Sequence, residues 1–175
     1  MSDKGSKLTF RDEVTTADRE AVRRIVASTG FFSPEEIDIA VELVEERLTR
    51  GRQSGYLFVF AEAAQELAGY ACFGPIPATR SGYNLYWIVV DPRRQRQGIG
   101  KALLAYSETA IRRAGGEAIY VDTSGRPQYD PTRCFYEAAR YVQAALLPDF
   151  YAPGDHKIVY VRRLDNEASK VPPHL

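Results

Sequence analysis

Little in this sequence could staple or metallate a small fold. Its 175 residues hold two cysteines, two histidines and one methionine. Cys72 and Cys134 stand in no CxxC or Cys/His pair, which excludes a structural zinc site and suits a reducing compartment. Neither GxSxG nor HExxH occurs, so the common serine-triad and zinc-hydrolase patterns are missing. A surplus of one charge is missing too. The 23 Lys plus Arg match the 23 Asp plus Glu, without the basic excess of a nucleic-acid binder. No apolar run approaches the roughly 18–20 residues that cross a bilayer, and the opening MSDKGSKLTF lacks the apolar core of a signal peptide. These absences predict a cytoplasmic protein with no metal, no nucleic-acid partner and no membrane partner.

What is present is an ordinary globular composition, 45% hydrophobic and 26% charged. The length predicts one domain, placed at 8–164 between a frayed 1–7 and a flexible tail at 165–175. Leu8 to Val14 reads as a first strand. Thr15 with Asp18 resembles a capping arrangement, and Ala17, Ala21, Val22, Ile25 and Val26 recur at helical spacing. A second helix opens on Ser33 as N-cap, Pro34 and Glu36, carries Ile37, Ala40, Val41, Val44 and Leu48 on one face, and stops at Gly51. Tyr56–Glu62 and Leu67–Phe73 suggest a hairpin, and Asn84–Val90 a further strand. A helix over Gly100–Ala114, a strand over Ala118–Asp122 and a helix over Thr132–Ala139 follow. Two last strands, Tyr141–Leu147 and Lys157–Leu164, flank a loop at Pro148–His156. The order β-αα-β-β-β-α-β-α-β-β is mixed α/β.

The informative segment is Asp91-Pro92-Arg93-Arg94-Gln95-Arg96-Gln97-Gly98-Ile99-Gly100-Lys101. Lying between a strand and a helix, it gathers backbone N–H groups at a helix N-terminus, where orphan donors and the dipole favour phosphate. Gly98 and Gly100 let a ligand approach the backbone, and Arg93, Arg94, Arg96 and Lys101 add positive charge. A P-loop would need Gly at position 95 and Ser or Thr after Lys101, where Gln95 and Ala102 stand. A dinucleotide fingerprint would need Gly in place of Leu103. The pattern that fits is [QR]xxGx[GA], as Gln95, Gly98 and Gly100.

On these residues the sequence resembles the GNAT N-acetyltransferase superfamily from about Leu8 to Leu164. The anchors are Ile88-Val89-Val90-Asp91-Pro92, the run Gln95 to Leu104, and Cys134-Phe135-Tyr136-Glu137. The resemblance implies a GNAT-like α/β fold: a mixed, mostly antiparallel twisted sheet of six to seven strands, about four helices, and a splayed strand pair forming the CoA slot. It implies transfer of acetyl from acetyl-CoA to a primary amine by direct attack in a ternary complex. The pyrophosphate would lie on Gln95, Arg96, Gln97, Gly98, Ile99, Gly100 and Lys101, and the pantetheine along Ile88, Val89 and Val90. Two other readings of the same fold stay open, a non-catalytic CoA sensor and an acyltransferase for a longer acyl-CoA.

Such a transfer needs a neutral amine, a donor to the carbonyl oxygen and a proton for the departing thiolate. The resemblance assigns the donor to the backbone amide of Ile88 and the acid to Tyr136. Where some relatives carry a basic Glu this sequence has Asn84, which can orient water or the amine but cannot accept a proton. Asp122 and His156 are alternative proton acceptors, and a water chain is the default. Tyr129 stands where many relatives have Asn. Cys134 reads as a buried structural thiol. Acceptor recognition falls, by resemblance, on aromatic segments with Phe31, Phe32, Tyr83, Tyr86, Trp87 and Tyr151. Alternation along the strand puts either Tyr86 or Trp87 toward the cleft. Both a monomer and a homodimer are compatible with the sequence.

Overall fold

The computed structural model describes residues 7–164; the expected frayed start, apart from exposed Lys7, and the tail at 165–175 lie outside them. The elements are β1 (Thr9–Arg11), α1 (Asp18–Ser28), α2 (Pro34–Arg50), β2 (Leu57–Ala63), β3 (Glu66–Pro75), β4 (Gly82–Val90), α3 (Ile99–Arg113), β5 (Ala118–Ser124), α4 (Asp130–Ala138), β6 (Val142–Ala152) and β7 (Asp155–Arg163). The seven strands run in the order β1-β2-β3-β4-β5-β7-β6. The β4/β5 pair is parallel, and the pairs β1/β2, β2/β3, β5/β7 and β6/β7 are antiparallel. This is the expected mixed α/β sheet with four helices. The chain packs as two compact units, one of 7–74 with Tyr86–Ser107 and one of Pro75–Leu85 with 108–164.

In the first unit, alternation along β2 and β3 sends Phe58, Phe60, Tyr70 and Cys72 to one face. There they pack with Val22, Ile25 and Val26 of α1 and Ala40 and Val44 of α2. Each such burial contributes about 1.5–3 kcal/mol. On the opposite face Gly69 leaves no room for a Cβ, which would sit 2.8 Å from the Val89 carbonyl oxygen and 3.0 Å from Leu103 of α3. The α2 cap forms as expected: Ser33 Oγ accepts from Glu36 N at 3.3 Å, and Glu36 Oε2 accepts from Ser33 N at 2.8 Å. The Thr15 arrangement differs. Its hydroxyl and amide both donate to Asp18, which serves Arg11 instead of capping α1. The β1 strand is also shorter than expected. Arg11 binds Asp18 at 2.5 Å and Glu62 at 2.7 Å and lies 4.2 Å from the Phe60 ring centroid. The β2–β3 turn is two residues, Ala64 and Gln65, both at positive φ, the hand that matches strand twist.

In the second unit, β5 lies against β7 from Ala118 opposite Arg163 to Ser124 opposite Lys157. Ile119, Val121, Ile158 and Tyr160 are buried on one face. The other face carries Tyr120, Asp122, Val159 and Val161, half-buried or exposed. The expected loop at Pro148–His156 is mostly strand. Here β6 continues to Ala152, and β7 starts at Asp155 after a short turn. Pro148 looks like a breaker, but β6 ends the strand order, and an edge strand tolerates a missing N–H.

Candidate active site

The glycine loop lies wholly within the first unit and is built outward from Asp91. This residue is 6% exposed, and its carboxylate accepts from the Arg93 amide at 2.9 Å and from the Arg93 guanidinium at 2.7 Å. Hydrogen bonding to that guanidinium holds the Asp91 pKa below its ordinary value. Arg94 meets Glu66 at 3.3 Å. Two of the four expected phosphate-facing cations are therefore already occupied. Arg96 and Lys101 are exposed and carry no ion pair among the described residues. Arg96 takes φ +61° and Gly98 φ +81°, so the chain turns left-handed twice before the helix. Gly98 O then accepts from Ala102 N at 3.0 Å, closing the first turn of α3. The amides of Ile99, Gly100 and Lys101 precede any helical acceptor, and a Cβ built on Gly98 meets nothing within 4 Å. This is an open cradle of donors with two free cations beside it. It fits a diphosphate.

Trp87 meets Phe32 edge to face at 4.9 Å, and both pack against the core under α1 and α2. Tyr86 meets Tyr56 at 5.4 Å and is 37% exposed, so Tyr86 is the more open of the two. Phe31 is 43% exposed. Ile88 and Val90 are half-buried on β4.

Within the second unit, Tyr136 projects from α4 into a cluster with Phe135, Tyr141 and Tyr160, at centroid distances of 5.4, 5.6 and 6.0 Å. Tyr141 donates to Glu108 at 3.2 Å, and Tyr160 donates to Glu137 at 2.8 Å. Tyr136 is 4% exposed, and its hydroxyl bonds to no described residue. It is the uncommitted phenol of the three. Burial raises its pKa above the ordinary tyrosine value, so it stays a proton donor. Burial, then Glu137, pushes the Tyr160 pKa up to about 12.

Asn84 sits opposite Tyr120 in the β4/β5 ladder. Asp122 is exposed and ion-paired to Lys157 at 2.5 Å. His156 lies on β7, where its Nδ1 accepts from the Asp149 amide at 2.9 Å, a structural duty. Tyr83 packs against Gly116, whose added Cβ would fall 2.8 Å from the ring. Tyr151 is 48% exposed and meets Phe150 at 5.0 Å. Tyr129 is half-buried beside Arg126, 5.7 Å from its guanidinium carbon to the ring centroid. Of the two thiols, Cys72 is the buried one and Cys134 is exposed, because position 134 falls on the outer side of α4 while Tyr136 points in.

Residues 20–139 match the acetyltransferase (GNAT) family. The chain belongs to that family. A GNAT-family acetyltransferase structure from Desulfovibrio desulfuricans superposes with a TM-score of 0.88 at 50% identity, covering 90% of this chain and 99% of that one. The N-acetyltransferase YuaI of Bacillus subtilis is 34% identical over 84 residues, 47% of each chain; that match spans about half the length of the curated relative. An aminoglycoside 6′-N-acetyltransferase complexed with coenzyme A shares the fold, with a TM-score of 0.74 at 22% identity over 91% of this chain and 98% of that one. Sequence reasoning missed the partners that set up the GNAT tyrosine cluster. Glu108, Glu137 and Arg162 meet it from three separate elements, and no local spacing announces them.

Proposed function

We propose that this GNAT protein is an N-acetyltransferase that moves acetyl from acetyl-CoA to a primary amine by direct attack in a ternary complex. The observation that carries this reading is the open donor cradle at the start of α3, with Arg96 and Lys101 beside it and without an ion pair among the described residues. Gln95 to Lys101 hold the diphosphate, and the backbone of Ile88, Val89 and Val90 holds the pantetheine. Acetyl-CoA supplies the thioester that the amine attacks. The Ile88 amide donates to the carbonyl oxygen as it gains charge. As the new C–N bond forms and the C–S bond breaks, Tyr136 gives its proton to the leaving sulfur. The amine loses its proton through water, which Asn84 orients. Asp122 is already engaged by the Lys157 ammonium. Phe31, Phe32, Tyr83, Tyr86, Trp87 and Tyr151 furnish the acceptor side, where aromatic faces suit an organic amine or a cation. Residues 8–164 act as one catalytic domain, in the cytoplasm, without a metal.

Thiol release from acetyl-CoA in the presence of a panel of amines tests the reading. Release that depends on one amine class is the expected result. CoA binding without turnover on any amine would identify a sensor, and faster turnover of a longer acyl-CoA would reassign the donor.

A further inference from the structure

Asp155, the first residue of β7, is a buried carboxylate, 8% exposed. Ser124, the last residue of β5, is buried beside it. The Ser124 hydroxyl donates to Asp155 Oδ1 at 2.5 Å, and Arg126 Nε meets Asp155 Oδ2 at 3.0 Å. The same hydroxyl oxygen accepts from the Arg126 amide at 3.1 Å. Between these two residues the Gly125 amide donates to the His156 carbonyl at 2.8 Å, and a Cβ on Gly125 would sit 3.3 Å from that of His156. The chain leaving β5 is thus fastened to the first two residues of β7. Arg133 of α4 reaches back to the same stretch. Its Nη1 donates to the Ser124 carbonyl at 2.7 Å and to the Arg126 carbonyl at 3.2 Å, while its Nη2 binds Asp130.

We propose that Asp155 and Arg133 are positioning residues for Tyr136, together fixing where α4 carries its hydroxyl; this rests on Tyr136 as the proton donor. The helix needs such a tie. It has nine residues, and its N-cap, Tyr129, makes no side-chain cap bond. A helix that short is marginal by itself in water, so its place is set by tertiary contacts. Arg133, Tyr136 and Glu137 fall at i, i+3 and i+4, on one face. Glu137 accepts from the Tyr160 hydroxyl at 2.8 Å, so Tyr136 lies between one tie a turn ahead of it and another beside it. Asp155 is the hub of the first tie. A buried ion pair adds little net stability. What Asp155 supplies is a fixed place for Ser124, whose carbonyl is the acceptor that Arg133 grips. A general acid must stay within hydrogen-bond reach of the atom it serves, and a misplacement of about 1 Å costs on the order of 10²-fold.

A double-mutant cycle read by single-turnover thiol release on the full chain tests it. Asp155→Ala should slow release about 10–100-fold, with CoA affinity by calorimetry held within about threefold. In the Tyr136→Phe background the same change should cost less than about threefold, because the group it places is gone. A merely structural role would lower both backgrounds alike. A loss that carries over undiminished into Tyr136→Phe overturns the proposal, as does one matched by lost CoA affinity, or one below about threefold in the first place. Tyr136→Phe alone checks the reading beneath. If that single change costs less than about threefold, Tyr136 is not the acid and both fall; a full Tyr136→Phe loss with an additive Asp155→Ala loss removes only the positioning. Circular dichroism shows whether Asp155→Ala folds. If it does not, Arg133→Met, which keeps the aliphatic stem and cuts the same tie from the helix side, replaces it with the same expected and overturning results.

Discussion

Replacing Tyr136 with Phe removes one oxygen from the cluster and leaves its packing intact. The ring is held by Phe135, Tyr141 and Tyr160, and the missing hydroxyl had no partner among the described residues to abandon. Folding stability should therefore change little, or rise slightly, and acetyl-CoA affinity should be unaltered. Only the proton to the leaving sulfur is lost. A general acid contributes about 10²–10⁴-fold, which is about 2.7–5.4 kcal/mol of barrier at 1.36 kcal/mol per decade. Single-turnover thiol release measures the chemical step free of product release, and calorimetry measures affinity in parallel. The neighbours serve as controls. Tyr141→Phe and Tyr160→Phe take donors from Glu108 and Glu137, so each should cost about 1–3 kcal/mol of stability and leave the chemical step largely intact. A loss under threefold for Tyr136→Phe, or equal kinetic losses in all three variants, would refute the assignment. Because burial raises the Tyr136 pKa, this phenol should also produce no basic limb in the rate profile below about pH 10.

Gly98→Glu and Gly100→Glu should each abolish CoA binding by calorimetry, since both set a carboxylate among the amides that meet phosphate; unchanged affinity in both removes the cofactor assignment. Asp91→Asn should lower Tm at pH 7. The Asp91 pKa is held down by Arg93, so its contribution is present above the unfolded value near pH 4 and fades as the pH falls through the folded value. The gap in Tm between variant and wild type should then narrow as the pH falls below the ordinary carboxylate range, and a gap of equal size at neutral and strongly acid pH would contradict this. Tyr70→Phe should raise Tm by a few degrees, because the Tyr70 hydroxyl is sealed without a partner among the described residues and such a group costs about 1–3 kcal/mol; a drop in Tm would point to an internal water that satisfies it. Asp122→Asn should leave kcat within about threefold with the acid limb of kcat/KM intact, whereas a hundredfold loss would make Asp122 the base.

The glycine loop was legible because its signal is contiguous: a strand end, Asp91-Pro92, spaced glycines and a helix start all fall within eleven residues. The capping box of α2 was legible for the same reason. Pro148 misled because a proline reads as a stop wherever it occurs, and only the strand order shows that it lies on an edge. Cys134 misled because helix phase decides its exposure, and the phase of a nine-residue helix is set by Tyr136 packing on Tyr141 and Tyr160. The commitment of Arg93 and Arg94 to carboxylates was invisible for a related reason. Glu66 is remote in sequence, and the Asp91 pairing depends on a turn that the residues beside it do not specify.

The three residues of β1 would count for little as a strand, yet they cannot open alone. When Arg11 leaves, Asp18 at 1% exposure is a buried carboxylate without its counter-ion, a condition that costs about 3–5 kcal/mol. The first turn of α1 must then loosen to let water reach it. Thr9–Arg11 and the opening of α1 therefore share a single opening event, and their amides should exchange with solvent at a common free energy, well above that of an ordinary fraying terminus.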